Sequence, residues 1–231
     1  MKSPSEFTVA VGDDVAGAVT SALAYQSEPS ARAALILGHG AGAGQRSTFM
    51  VDFARSLSSL GIDVVTFNFL YTEQRRRIPD RGPALEACYR AVIGAARTQI
   101  ASARRFLFIG GKSMGGRIAT QVAAADRELP LAGLVLLGYP LHPPGKPEQL
   151  RDRHLPQVQR PMLFVQGRRD AFGAPDELTP ILERLTPSPT LHVVDGDHSF
   201  KLSKKDPAAQ AALYADIQRS IAEWIGQVVG S

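Results

Sequence analysis

Three residues far apart in the chain have the types needed for acyl chemistry. They are Ser113 in "GGKSMGG", Asp170 in "GRRDAFG" and His198 in "DGDHSF". A serine hydroxyl is a poor nucleophile until a base takes its proton, and an imidazole does so best when a carboxylate holds its tautomer. Gly111-Lys112-Ser113-Met114-Gly115 reads as G-x-S-x-G, the sharp strand-to-helix turn that exposes a nucleophilic serine, with acid and then histidine following in chain order. Gly111-Lys112-Ser113 also reads as the tail of a phosphate-binding loop. That loop requires a glycine at position 106 to open a wide turn, and position 106 is Phe, inside an apolar run. The nucleotide reading fails, and the serine reading stands.

The other histidines and acids are weaker candidates. His39 precedes the serine and suits a brace within its own turn; His142 and His154 sit in a long loop before the acid; His192 lies within a strand run. Asp195 and Asp197 flank His198 and read as turn residues, while Asp176 and Glu177 after Pro175 mark a helix start. Acyl transfer also needs N–H donors aimed at the developing oxyanion. The glycine-rich stretch "LILGHGAGAGQRS" (35–47) and the residue after the nucleophile supply them, which assigns the backbone N–H groups of Ala41 and Met114. The same stretch is not a dinucleotide fingerprint, because a third glycine is missing at Ala43. Cys88 lies in a helical pattern and reads as a small buried apolar residue; the histidines lack metal-ligand spacing, so no metal or other cofactor is expected.

These residues need a frame that brings them to one edge. Apolar runs at 33–38, 63–70, 105–111, 132–139 and 161–167 read as strands covered on both faces, with 190–196 as a last strand and "FTVAV" as an antiparallel edge strand. Amphipathic segments at about 48–60, 83–101, 115–126, 175–186 and 207–227 read as the helices between them. The alternation predicts an α/β fold with a mostly parallel sheet and helices on both faces. Asp170 and His198 then follow strands at their C-terminal ends, where catalytic groups gather in such sheets. The Pro-rich segment 139–161 reads as a loop above the sheet with at most one helical turn.

Composition narrows the class. The chain has 231 residues, 44% of them hydrophobic, which suits a single domain over 1–231 with a sizeable core. One cysteine excludes an internal disulfide framework, and no apolar run reaches membrane-spanning length. The expectation is a cytoplasmic protein with no membrane or nucleic-acid partner, since the net charge of +4 is not gathered on one helix. The densest basic run, Arg75-Arg76-Arg77, follows a strand and reads by default as a solvated loop; the alternative reading has it, with Lys112, rim the pocket and favour a substrate bearing a carboxylate or phosphate.

The segments "GHGAGAG", "FNFLYTEQRRRIPD", "GGKSMGGR", "QGRRDAFG" and "DGDHSF" together resemble the α/β-hydrolase superfamily, in its small branch related to dienelactone hydrolases. Within that branch they are similar to a little-characterised subgroup that includes a subunit of an animal histone-acetyltransferase complex. The resemblance implies about eight strands, with the triad at the C-terminal edge. Only the 139–160 loop stands where larger esterases insert a helical lid, so an open, shallow site is expected. The chemistry expected is hydrolysis of an ester or thioester of a small acyl substrate, carboxylesterase- or dienelactone-hydrolase-like, by Ser113, His198 and Asp170. A non-catalytic binding scaffold, and an acyltransferase using the same triad, are the alternatives. Oligomeric state is not legible.

Overall fold

The computed structural model describes residues 3–12 and 17–230. Its centre is a set of strands that are apolar throughout: β3 (Ala33–Gly38), β4 (Ile62–Phe67), β5 (Leu107–Lys112), β6 (Gly133–Leu137) and β7 (Met162–Gly167). Nearly every residue in them is buried, as residues sandwiched between two helical layers must be. With β1 (Ser5–Ala10), β2 (Val19–Tyr25) and β8 (Thr190–Val194) they form an eight-stranded sheet in the order β1-β2-β4-β3-β5-β6-β7-β8. β2 pairs antiparallel with both β1 and β4, and all the other neighbours pair in parallel. This is the α/β-hydrolase fold.

The helices are α1 (Thr48–Ser59), α2 (Leu70–Glu73), α3 (Gly82–Gln99), α4 (Ala101–Arg105), α5 (Met114–Ala125), α6 (Pro175–Leu182) and α7 (Pro207–Gly230). The pleat sends alternate strand residues to opposite faces. Ala34 and Ile36 join Cys88, Tyr89 and Val92 of α3 and Ile118 of α5 in one core. Leu35 and Leu37 join Phe53 of α1 and Ile221 and Trp224 of α7 in the other.

Two differences from the expected elements are instructive. The strand expected over 63–70 ends at Phe67, because Asn68 turns the chain and Leu70 opens the single turn of α2. β2 was not anticipated: "VTSALAY" is rich in Ala and Ser, and it is a strand because β1 and β4 pair with both of its edges. The 139–161 loop holds only a 3₁₀ turn, Leu155–Gln157. Among the described residues no helix is long and apolar enough to cross a membrane.

The chain leaves β3 for β4 on one side and later returns to β5 on the other. The crevice beyond the C-terminal ends of β3 and β5 is therefore a topological switch point, where open α/β sheets take their ligands.

Candidate active site

At that crevice β5 runs directly into α5 through Ser113, whose backbone has φ 51° and ψ −114°. A non-glycine residue here costs on the order of 1–3 kcal/mol, and the surroundings hold it in place. The Ser113 N–H donates to the Leu137 carbonyl of β6 at 2.9 Å, and the Ser113 carbonyl accepts from Arg117 N–H at 3.1 Å. The turn is this tight because the neighbouring positions lack side chains. A Cβ at either Gly111 or Gly115 would lie 2.2 Å from the Gly38 carbonyl oxygen. The buried Tyr89 hydroxyl, 2.6 Å from the Gly110 carbonyl oxygen, ties α3 to the strand that carries the elbow.

Ser113 Oγ lies 2.8 Å from His198 Nε2, and His198 Nδ1 lies 2.8 and 2.9 Å from the two oxygens of Asp170. A proton on Nδ1 is donated to the carboxylate, which leaves Nε2 to accept from the serine hydroxyl. Asp170 is 2% exposed, yet its oxygens are satisfied: Oδ1 accepts from Phe172 N–H at 2.8 Å and Oδ2 from Gln166 Nε2 at 2.9 Å. Phe172 also stacks on the His198 ring, with centroids 4.1 Å apart.

The first-strand loop folds back over the serine. A Cβ at Gly40 would sit 3.7 Å from Ser113 Cβ. His39 is fully buried and holds the loop from within: its Nδ1 donates to the Gly40 carbonyl at 2.8 Å and its Nε2 accepts from Phe69 N–H at 3.2 Å. Burial pushes its pKa down, so the ring is a neutral brace, matching its expected place outside the base role. The Tyr71 hydroxyl donates to the Ala41 carbonyl at 2.9 Å, and Asn68 Oδ1 accepts from Gln45 N–H at 2.9 Å. Ala41 and Met114 both line the cavity beside Ser113, and neither N–H donates to a protein acceptor among the described residues. Met114 begins α5, where the helix dipole adds partial positive charge.

The cavity has a volume of about 770 Å³ and includes Ser113, His198, Ala41, Met114, Phe49 and Tyr214 in its lining. Arg75, Arg76 and Arg77 are not part of it. All three are exposed, and Arg76 instead pairs with Asp80. The tight turn at Asn68 and the short α2 direct Tyr71 inward and turn Pro79 and Asp80 toward the cavity, leaving the arginines in solvent. Lys112 does reach the lining, but its ammonium does not face substrate. It donates to the His198 carbonyl and lies 5.2 Å from the centre of the Phe200 ring. Burial lowers its pKa to about 8, against the opposing pull of Asp170 and Asp197.

The remaining rivals of the site residues lie elsewhere. Asp197 Oδ1 accepts from Ser199 and Lys201 N–H groups, both at 2.8 Å, as a turn residue does. Asp195 pairs with Arg169, His192 with Asp216, and His142 with Glu177. His154 contacts Thr120 Oγ1 at 2.8 Å. Cys88 is buried, and burial pushes its thiol up to about 12, so no thiolate forms near neutral pH. Among the described residues no group of three His, Cys, Asp or Glu side chains could hold a metal ion. Sequence reasoning missed Gln166, the buried amide beneath Asp170; its signal was a lone polar residue in the apolar strand "MLFVQG".

The family described as an alpha/beta hydrolase domain matches residues 31–226. Among solved structures, the chain is similar to an α/β serine hydrolase without a lid from Xanthomonas campestris, at 24% identity and a TM-score of 0.72, covering 97% of this chain and 96% of that one. A serine hydrolase homologue from Coxiella burnetii aligns at 17% identity and a TM-score of 0.74, over 96% of this chain and 99% of that one. A dienelactone hydrolase from Anabaena variabilis aligns at 19% identity and a TM-score of 0.71, over 98% and 99%.

Proposed function

Because the chain belongs to the alpha/beta hydrolase domain family, we propose that it is a serine hydrolase cleaving a carboxylic ester or thioester of a small acyl substrate. One observation carries the reading: Ser113, His198 and Asp170 form an unbroken hydrogen-bonded line at the wall of an accessible cavity.

In the proposed mechanism Ser113 Oγ attacks the acyl carbon while its proton passes to His198 Nε2. The carbonyl oxygen becomes an oxyanion and accepts from the N–H groups of Ala41 and Met114, which donate to no protein acceptor among the described residues. Removing one such donor typically costs about 10²–10³ in kcat. Asp170 remains ionised and stabilises the imidazolium. The leaving alkoxide or thiolate takes the proton from Nε2 as the acyl–heteroatom bond breaks. Water then attacks the acyl-enzyme with His198 again as base, and the carboxylic acid and free serine are restored.

With no lid, the cavity suits short acyl groups rather than long chains. The likeness in sequence to a histone-acetyltransferase-complex subunit raises the alternative of a binding scaffold without turnover. The complete hydrogen-bonded line weighs against it, since a scaffold has no need of an aligned base. A fluorophosphonate probe and a panel of p-nitrophenyl esters and thioesters test the proposal. Labelling and turnover should both disappear in Ser113→Ala; folded wild-type protein that neither labels nor hydrolyses any member of the panel would favour the scaffold.

A further inference from the structure

The cavity beside Ser113 is lined by two arginines that form no ion pair among the described residues. Arg117 follows Ser113 by one turn of α5, and helical side chains lean toward the helix N-terminus, here the nucleophile end. Arg151 comes from the loop above the sheet, and the loop is pinned at that residue. Its N–H donates to the Leu141 carbonyl at 2.8 Å, and its carbonyl accepts from the Tyr139 hydroxyl at 2.6 Å. Both arginines line the cavity.

Their charges are poorly compensated by the protein. Among the described residues the side chain of Arg117 makes one hydrogen bond, a long one to Gln121 Oε1 at 3.4 Å, and neither arginine forms an ion pair. Burial and the like charge of Arg151 both disfavour the charged form of Arg117. The acids around them, Glu86, Asp80 and Asp152, attract the pair only at longer range, and none lies within ion-pair distance of either arginine among the described residues. Glu86 faces Arg90 at 3.6 Å, and Asp80 accepts from Arg76 and from Tyr71 N–H. A guanidinium does not shed its proton at physiological pH, so two of them held together half-buried are unfavourable until an anion joins them.

We propose that Arg117 and Arg151 form an anion subsite that receives a carboxylate carried on the acyl part of the substrate, a few bonds from the scissile carbonyl. Its catalytic consequence rests on the serine-hydrolase reading above. It also relocates the anion preference that the alternative reading gives Arg75–Arg77 to residues that do line the cavity.

The test compares p-nitrophenyl hydrogen glutarate with p-nitrophenyl valerate, together with calorimetric binding of glutarate. Wild type should favour the glutarate ester in kcat/KM by at least about tenfold at low salt, the effect of one good charge-assisted hydrogen bond. The ratio should fall toward one in Arg117→Gln/Arg151→Gln and persist in Arg77→Gln. Should the double variant fail to fold, Arg151→Gln alone should still lower the ratio at least about threefold. A wild-type protein that hydrolyses both esters equally, or a variant that keeps the preference, overturns the subsite and leaves the hydrolase intact. If Ser113 neither labels nor turns over either ester, the hydrolase reading fails and the subsite is decided by binding alone. Glutarate affinity lost in the double variant then supports it, and affinity absent from wild type or unchanged in the variant overturns it.

Discussion

His198 Nε2 stands 2.8 Å from Ser113 Oγ across 85 residues of sequence, and the same ring is held from behind by the Asp170 carboxylate. Replacing that carboxylate by an amide would offer Nδ1 a donor as readily as an acceptor and so release the tautomer. Asp170→Asn should therefore retain its fold by circular dichroism and lower kcat about 10⁴-fold on any ester the wild type hydrolyses. A loss smaller than about tenfold would show that Asp170 does not orient the base.

Gly115 is required by backbone, not by a flexible neighbour. A Cβ there would lie 2.2 Å from the Gly38 carbonyl oxygen and 2.4 Å from its carbon. Gly115→Ala should lose about 3 kcal/mol or more in urea unfolding, because the β3 backbone cannot yield. At Gly42 an added Cβ meets nothing within 4 Å, and Gly42→Ala should stay within about 0.5 kcal/mol of wild type.

Gln166 acts on the base at second hand. Its amide nitrogen donates to Asp170 Oδ2 at 2.9 Å and its oxygen accepts from Tyr139 N–H at 2.9 Å. Gln166→Leu strands that buried N–H, so about 1–3 kcal/mol of stability should be lost. A residue that positions Asp170 should also lower kcat with little change in KM, whereas a purely structural residue would leave kcat of the folded fraction unchanged.

Lys112 gives the site an alkaline limit. Its ammonium anchors the His198 carbonyl while protonated, and Asp170 and Asp197 are the charges that sustain it against burial. Above a pKa of about 8 the charge is lost and the anchor weakens, so kcat should decline through that pH. Lys112→Met should be slower at neutral pH and lack this limb. For stability the sign is opposite: a folded pKa below the ordinary lysine value means the unfolded chain holds more protons above pH 8, so this group's contribution rises with pH there. An unchanged alkaline limb in Lys112→Met would remove Lys112 from this role.

His154 should make the fold acid-sensitive. Burial first, then Arg117, lowers its pKa to about 4. Between the ordinary histidine value of 6.5 and about 4 the unfolded chain takes up a proton that the folded one refuses, so stability falls as pH drops through that window. His39, lowered by burial, acts in the same direction. The Tm should drop between pH 7.5 and pH 5, and His154→Gln should flatten part of that slope.

The elements and the elbow were legible because their signals are local. An apolar strand running into Gly-x-Ser-x-Gly leaves no room for a phosphate loop at Phe106, and Asp170 and His198 each follow their strand directly. β2 was not legible, because "VTSALAY" owes its extended state to partners on both sides rather than to its own residues. Nor did spacing reveal Gln166, whose role depends on where Asp170 folds back against its own strand.

Charge shows the division most clearly. The sequence by itself determined the parallel strands and the longer helices between them, the nucleophile's turn and the candidate acid and base, since each follows from periodicity or steric limits over a few residues. Only the tertiary structure decided which cations meet the cavity. Arg75–Arg77 turn to solvent, the Lys112 ammonium turns to the His198 carbonyl, and Arg117 and Arg151 meet from a helix and a distant loop. A long charged side chain goes where partners and water permit, and those partners are distant in the chain.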